Sequence, residues 1–565
     1  MPGCVREGRR AAECAPHRQS VDALSGTLTF PRQLPSCAGV PQTPRPMSER
    51  FYITTAIDYV NGRPHLGHAY EKVITDVIAR SRRSLGEQVF FLTGLDEHGQ
   101  KVQQAAAAEG REPQVYCDDI ARAFRELATS LNLTLDDFVR TTESRHRTVV
   151  QAILAKLHRE GRFRVGTYEG WYSPKEETFL TEKDRLPDGS FPAVYGQVNP
   201  LVESNYFFPL QPYQQWLIEH IESHPDFVYP DYRRNEVLGF LKKEPLEDLC
   251  ISRPKSRLAW GIPLPFDPDY VTYVWFDALT NYVTVPASMG DATAAGPIGL
   301  PVDPGAPSLW PAIHVIGKDI LKFHAVYWPI MLHAAGIPIP RQILAHGWWQ
   351  KDGQKLSKST GNVVDPHVVI NEWGVDAFRY YLVRELDIGP DGNWTDSGFS
   401  ARYHAELANG LGNLVNRSLK MLKSYRAGRI PAPSTDLASA AAGAAEAVAK
   451  AYRAYELQGA LVAAWELVDR ANKFVEETAP FKLAKDPSQA ARLDEILYSL
   501  VESCRILAVL LWPVIPETAG KIYAQLGSPG VPDSFASSAW GGLQEGQMVG
   551  EPLPLFPRKD APVKK

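Results

Sequence analysis

The rhythm of apolar and polar positions changes three times along the chain. From Phe51, RFYITTAIDYV is β-branched and aromatic, and AYEKVITDVIARSRRSLG then carries apolar residues at helical spacing up to a closing glycine. QVFFLTGLDEHG reads as a second strand that runs into a polar loop. Strand, helix and strand in that order predict a βαβ unit of a doubly wound parallel sheet, with the helix beginning near Ala69. Between about 145 and 255 the alternation stops. GTYEGWYSPKEETFLTE and SNYFFPLQPYQQWLIEHI are aromatic-rich, with turns at Pro-Asp-Gly and near Pro225, and predict an α+β insertion. The α/β rhythm returns in TYVWFDALTNYV, AIHVIGKDILKFHAVYWPIML and RQILAHGWWQKDGQKLSKSTGN. After about Ser400 three long stretches carry apolar stripes at helical spacing, which predicts a helix bundle.

Composition narrows the classes. A chain of 565 residues is too long for one core and suggests about three to four domains. A net charge of −5 gives no bulk attraction for nucleic acid, so any RNA contact needs a local surface. Cys4, Cys14, Cys37, Cys117, Cys250 and Cys504 form no Cys-x-x-Cys pair. That argues against a disulfide framework and a thiolate zinc site, and fits a reducing cytosol. No apolar run approaches the roughly 20 residues that span a bilayer. Residues 1–46 are arginine-rich and acid-poor. They read as a disordered tail, as translation from an upstream start with Met47 opening the product, or as an organellar transit peptide.

Chemistry concentrates at strand ends. In NGRPHLGH, His65 and His68 stand around Gly67 where a strand gives way to a helix. A metal site would recruit further ligands such as Asp96 or His98. The stronger reading is an anion site, because helix N-terminal N–H groups and the dipole favour phosphate and imidazoles donate to its oxygens. Much later, Lys355 to Ser359 read KLSKS within a Gly-bracketed loop. Two lysines there can close over a triphosphate and stabilise charge on departing pyrophosphate. A turn and a solvated charged loop are the bland alternatives.

HLGH resembles the HIGH signature of class I aminoacyl-tRNA synthetases, and KLSKS resembles their KMSKS loop. AIDYVNGRPHLGH, GLDEHGQKV, YVWFDALTNY, HVIGKDILKFHAVYWP and GWWQKDGQKLSKS are together similar to the methionyl-tRNA synthetase family, over roughly residues 50 to 525. The resemblance implies ATP-dependent activation of L-methionine and its transfer to tRNA(Met), initiator tRNA included, with Mg²⁺ accompanying ATP. His65, His68, Lys355 and Lys358 would be catalytic, with Gly67 and Ser357 joining them at ATP. Ile57, Tyr59, Asp96, Trp275, Ala278, Leu279, Tyr282, Ile320 and His324 would hold methionine, Asp96 taking its ammonium group. Arg253 would lie near the substrate. Asn413 and Arg417, four apart and so on one helical face, would read the anticodon together with Phe481, which stands where relatives carry Trp.

The expected architecture is α/β: a Rossmann-like doubly wound parallel sheet split by an α+β connective insertion, then an all-α helix-bundle anticodon-binding domain. Boundaries are set at 1–47 for the extension, 48–144 and 256–345 for the catalytic halves, and 145–255 for the insertion. The KLSKS and stem-contact region takes 346–400, the bundle 401–545 and the tail 546–565. The insertion lacks the Cys-x-x-Cys pairs of zinc-bearing relatives, which implies a zinc-free form. With no segment resembling the C-terminal dimerising domain of some relatives, a cytoplasmic monomer is expected. The rivals are another class I synthetase and a HIGH-motif nucleotidyltransferase without a tRNA role.

Overall fold

Every residue of FYITT is buried, because its strand, β1 (Phe51–Thr55), lies in the middle of a sheet covered on both faces. This computed structural model describes residues 50–173, 178–355 and 363–559. After β1 come β2 (Asp58–Tyr59), helix α1 (Leu66–Ser84), β3 (Val89–Asp96), β4 (Asp137–Arg140), β5 (Val228–Tyr229), β6 (Ile313–Gly317) and β7 (Gln342–His346). All seven strands are parallel. β1 sits between β3 and β6, β7 follows β6, and β5 pairs with β7; β3 also pairs with β2 and β4. Ile53 stands opposite both Phe91 and Ile313, and Gly317 opposite His346. The register therefore brings the carboxyl ends of β1, β3, β6 and β7 to one edge, where open α/β sheets collect ligands.

Alternation along β1 assigns its faces. Phe51 and Ile53 join α1 in one apolar cluster that continues through the C-terminal helices. Tyr52 joins the other, with the helix Ser144–Arg159 and residues around Trp310 and Trp328. Helix α1 begins at Leu66, not near Ala69, because His65 caps it.

Of the stretch 145–255, Arg164–Ser173, Thr178–Leu180, Asn199–Phe208 and Leu249–Cys250 form a four-stranded antiparallel sheet, whereas β5 returns to the parallel sheet as its edge. Beyond residue 400 the helices Asn413–Arg426, Ala438–Arg453, Leu457–Thr478, Ala490–Leu511 and Pro516–Gln525 pack together. Ala490–Leu511 is buried on every side from Ile496 onward, which makes it the axis of the bundle. Among the described residues no helix is long and apolar enough to cross a membrane.

Candidate active site

The turn between β2 and α1 is held by the two histidines themselves. His65 Nδ1 accepts the Gly67 N–H at 3.1 Å, and His68 Nδ1 accepts the His65 N–H at 3.1 Å. This is a capping box built from imidazoles, and it satisfies two backbone donors at the helix start. Accepting at Nδ1 fixes each neutral ring with its proton on Nε2. The rings stack with centroids 3.8 Å apart. A Cβ on Gly67 would sit 3.1 Å from the His65 ring, so glycine keeps the approach to both rings open.

Beneath the histidines lies a buried ion pair, Asp58 with Lys72. Burial pushes the Asp58 carboxyl up, against the opposing pull of Lys72. Asp58 Oδ1 is also 3.9 Å from His68 Nε2. One turn along α1, Glu71 meets His346 Nε2 at 3.1 Å at the end of β7. Gly347 follows, and a Cβ there would fall 1.9 Å from Pro390 O, so only glycine fits.

Two cavities open along this edge. One of about 400 Å³ is lined by His65, Gly67, His68, Glu71, His346 and Trp348 among others. Its neighbour, about 540 Å³, is lined by Ile57, Tyr59, Asp96, Trp275, Ala278, Leu279, Tyr282, Ile320 and His324. Ala56, Ile57, Tyr59, Asp319 and Ile320 line both, so they form one cleft across the strand ends.

The larger cavity is apolar with a few fixed polar groups. Trp275 stacks on Phe323 with centroids 3.5 Å apart. The Tyr282 hydroxyl donates to His324 Nε2 at 2.7 Å, and His324 Nδ1 donates to Ile320 O at 3.0 Å. Burial pulls the His324 imidazole down to about 4 and pushes the Tyr282 phenol well above its ordinary value. Both groups are therefore neutral near pH 7, a polar tip in an apolar wall. Asp96, at the end of β3, is buried against the same space.

All nine residues expected around methionine thus line one cavity, and His65, Gly67 and His68 line the one beside it. Lys355 ends the short strand Gln354–Lys355, which pairs with Trp349–Lys351 just past β7. Ser357 and Lys358 lie outside the described residues. Arg253 does not reach either cavity. It is buried behind Tyr273, its guanidinium 4.0 Å from that ring and donating to Ser252 O at 2.8 Å. Asn413 is exposed and Arg417 half-buried on Asn413–Arg426, while Phe481 is 48% exposed on the short helix Pro480–Leu483.

Lining residues not anticipated from the sequence include Glu71, Asp319, Lys322, His346 and Trp348. The signal was present: Lys318–Asp319 directly follow β6, and His346 closes β7 as Asp96 closes β3. Among the described residues no group of three or more His, Cys, Asp or Glu is arranged to hold a metal ion.

Known proteins resemble the chain along nearly this whole length. The family model described as tRNA synthetases class I (M) matches residues 51–197 and 188–419. The methionine–tRNA ligase of Rhizobium meliloti is 42% identical over 524 residues, covering 91% of this chain and 98% of the relative. That of Caldanaerobacter subterraneus subsp. tengcongensis is 41% identical over 521 residues, covering 91% and 80%. Among solved structures, Mycobacterium tuberculosis methionyl-tRNA synthetase in complex with methionyl-adenylate aligns with a TM-score of 0.83 at 40% identity, over 90% of this chain and all of that one. The apo form of the same enzyme gives 0.79 at 37% identity, over 92% and 100%.

Proposed function

The chain belongs to the methionyl-tRNA synthetase family of class I tRNA synthetases, and from that premise we infer how its residues divide the work. It activates L-methionine with ATP and transfers the methionyl group to tRNA. In the first step a methionine carboxylate oxygen attacks the α-phosphorus, the bond to the β-phosphate breaks, and pyrophosphate leaves methionyl-adenylate behind. In the second, a hydroxyl of the terminal tRNA adenosine attacks the acyl carbon and AMP leaves. The carboxylate is already a nucleophile, so the first step needs positioning and charge stabilisation more than a base.

In this reading the methionine side chain fills the 540 Å³ cavity, its thioether against Trp275 and the neutral Tyr282–His324 pair. Ile57, Tyr59, Ala278, Leu279 and Ile320 complete the wall, and Asp96 pairs with the ammonium group. The triphosphate lies over the start of α1, where His65 and His68 donate from Nε2 as charge builds on the phosphate oxygens. Gly67 leaves room for it, and the KLSKS residues Lys355, Ser357 and Lys358 are assigned as further donors to the phosphates. Mg²⁺ arriving with ATP supplies further neutralisation of phosphate charge.

The domain boundaries set out above, with Val228–Tyr229 returned to the catalytic sheet, a zinc-free connective insertion and a cytoplasmic monomer belong to the same reading. So does anticodon reading of tRNA(Met), the initiator included, by Asn413, Arg417 and Phe481. One observation supports it most: the nine methionine residues and the two histidines, drawn from four separate stretches of chain, line a single cleft. ATP–pyrophosphate exchange across the standard amino acids tests it. Stimulation by methionine is expected; stimulation by leucine, or by none, would overturn it.

A further inference from the structure

Behind the larger cavity runs a fully buried polar chain that touches no part of the space itself. His98 Nδ1 meets Asp277 Oδ2 at 2.7 Å, and His146 Nε2 meets Asp277 Oδ1 at 2.7 Å. His146 Nδ1 lies 2.8 Å from Thr284 Oγ1, whose hydroxyl donates to Thr280 O at 3.0 Å. Asp277, His146, Thr280 and Thr284 are 0% exposed and His98 3%. Burial alone would raise the Asp277 carboxyl, yet His98 and His146 hold it down to about 2.

The positions of these residues matter more than their charge. His98 lies two residues past Asp96, in the loop leaving β3, and the Trp260 indole also donates to Glu97 O in that loop at 2.5 Å. Asp277 lies on the short helix Val274–Leu279, between Trp275 and Ala278. Those two and Leu279 form one wall of the cavity, and Asp96 stands on another. β3 and this helix are about 180 residues apart in sequence, and the residues joined here are separated by 179. The Asp277 Oδ2 thus joins the two walls through His98, while Oδ1 accepts from His146 on the helix Ser144–Arg159, which lines neither cavity and braces the carboxylate from behind.

We propose that Asp277 is a positioning residue for the amino-acid subsite, fixing through His98 and His146 the distance between Asp96 and the Trp275–Leu279 wall. The inference rests on the methionine reading above. A carboxylate misplaced by a fraction of an ångström loses the ammonium group without disturbing the phosphates, which bind at the other end of the cleft.

Asp277→Asn keeps the shape but turns an amide N–H₂ toward one imidazole donor, so it breaks one of the two bridges. In pyrophosphate exchange it should raise the methionine KM about tenfold or more while the ATP KM stays within about twofold. His98→Ala should do the same, and His98→Asn, whose amide nitrogen takes the place of Nδ1, should restore methionine KM to within about threefold of the wild type. That pair decides the matter if Asp277→Asn does not fold. A parallel rise in both KM values, or a lowered Tm with unchanged kinetics, would overturn the proposal. A wild-type chain without methionine-dependent exchange would overturn the functional reading and this inference with it; a responsive wild type with unsplit variants would overturn this inference alone.

Discussion

His68 has two jobs that substitution separates. Its Nδ1 caps α1, and a lost cap costs about 0.5–2 kcal/mol. Its Nε2 is assigned to phosphate, and loss of one such donor slows the chemical step by about 10²–10³-fold. His68→Ala should therefore lose exchange activity by that larger factor while its denaturation midpoint moves only slightly; near-normal exchange would remove the residue from the mechanism. His324 carries a pH signature instead. Its burial holds the imidazole at about 4 in the folded chain, below the ordinary 6.5, so between those values the unfolded chain binds the extra proton. Stability from this group is fully present above about pH 6.5 and is lost as pH falls toward 4, by about 3 kcal/mol in all. His314, also buried and lowered, acts in the same direction, so the measurement is a difference. Urea denaturation of the wild type and His324→Gln at pH 6.5 and 4 should show the wild type losing about 3 kcal/mol more. The histidines' place beside a helix start was legible in NGRPHLGH. Their capping role was not, because imidazole is absent from the usual cap residues and the helix start was accordingly expected at Ala69.

Helix α1 shows what an element conceals in sequence. His68, Lys72, Asp76 and Arg80 recur every fourth residue, a spacing that normally marks a solvated face. Here Lys72, Asp76 and Arg80 are buried, because each meets a partner that the local pattern cannot reveal. Lys72 pairs with Asp58 across the turn. Asp76 accepts from Arg80 at 2.8 Å, from Thr134 Oγ1 at 2.6 Å and from Arg379 at 2.7 Å, 303 residues away. Arg379 is wholly buried and also donates to Leu131 O, Pro513 O and Val514 O. Apolar periodicity foretold the helix and its length; long-range charge pairing decided which polar residues go inside. Arg379→Met should cost about 3–5 kcal/mol in chemical denaturation, since it removes one of the two guanidinium partners of Asp76 and leaves three buried carbonyls without the Arg379 donor. A loss below about 1 kcal/mol would mean the pair contributes no more than an exposed one.

At the scale of the molecule, α1 and the C-terminal helices belong to one apolar cluster, and Arg379 ties α1 to the Pro513–Val514 turn. The helices beyond residue 400 are therefore built onto the side of the sheet that carries the histidines, while the substrate cleft opens at the strand ends. Chemistry and tRNA recognition should then separate cleanly in kinetics. Arg417 and Phe481 lie far along the chain from every cleft residue, and an aromatic ring that is 48% exposed gains nothing for the fold by that exposure. Stacking on an unpaired base would use it, at about 1–3 kcal/mol per base. Arg417→Ala and Phe481→Ala should thus raise the tRNA KM in aminoacylation by about 5–150-fold, the range that stacking energy sets, and leave pyrophosphate exchange unchanged. Phe481→Trp offers a larger ring for stacking and should charge tRNA at least as well as the wild type. If both alanine variants charge tRNA normally, the assignment of these residues to the anticodon falls; if either also slows exchange, its effect passes through the shared core and not through the RNA.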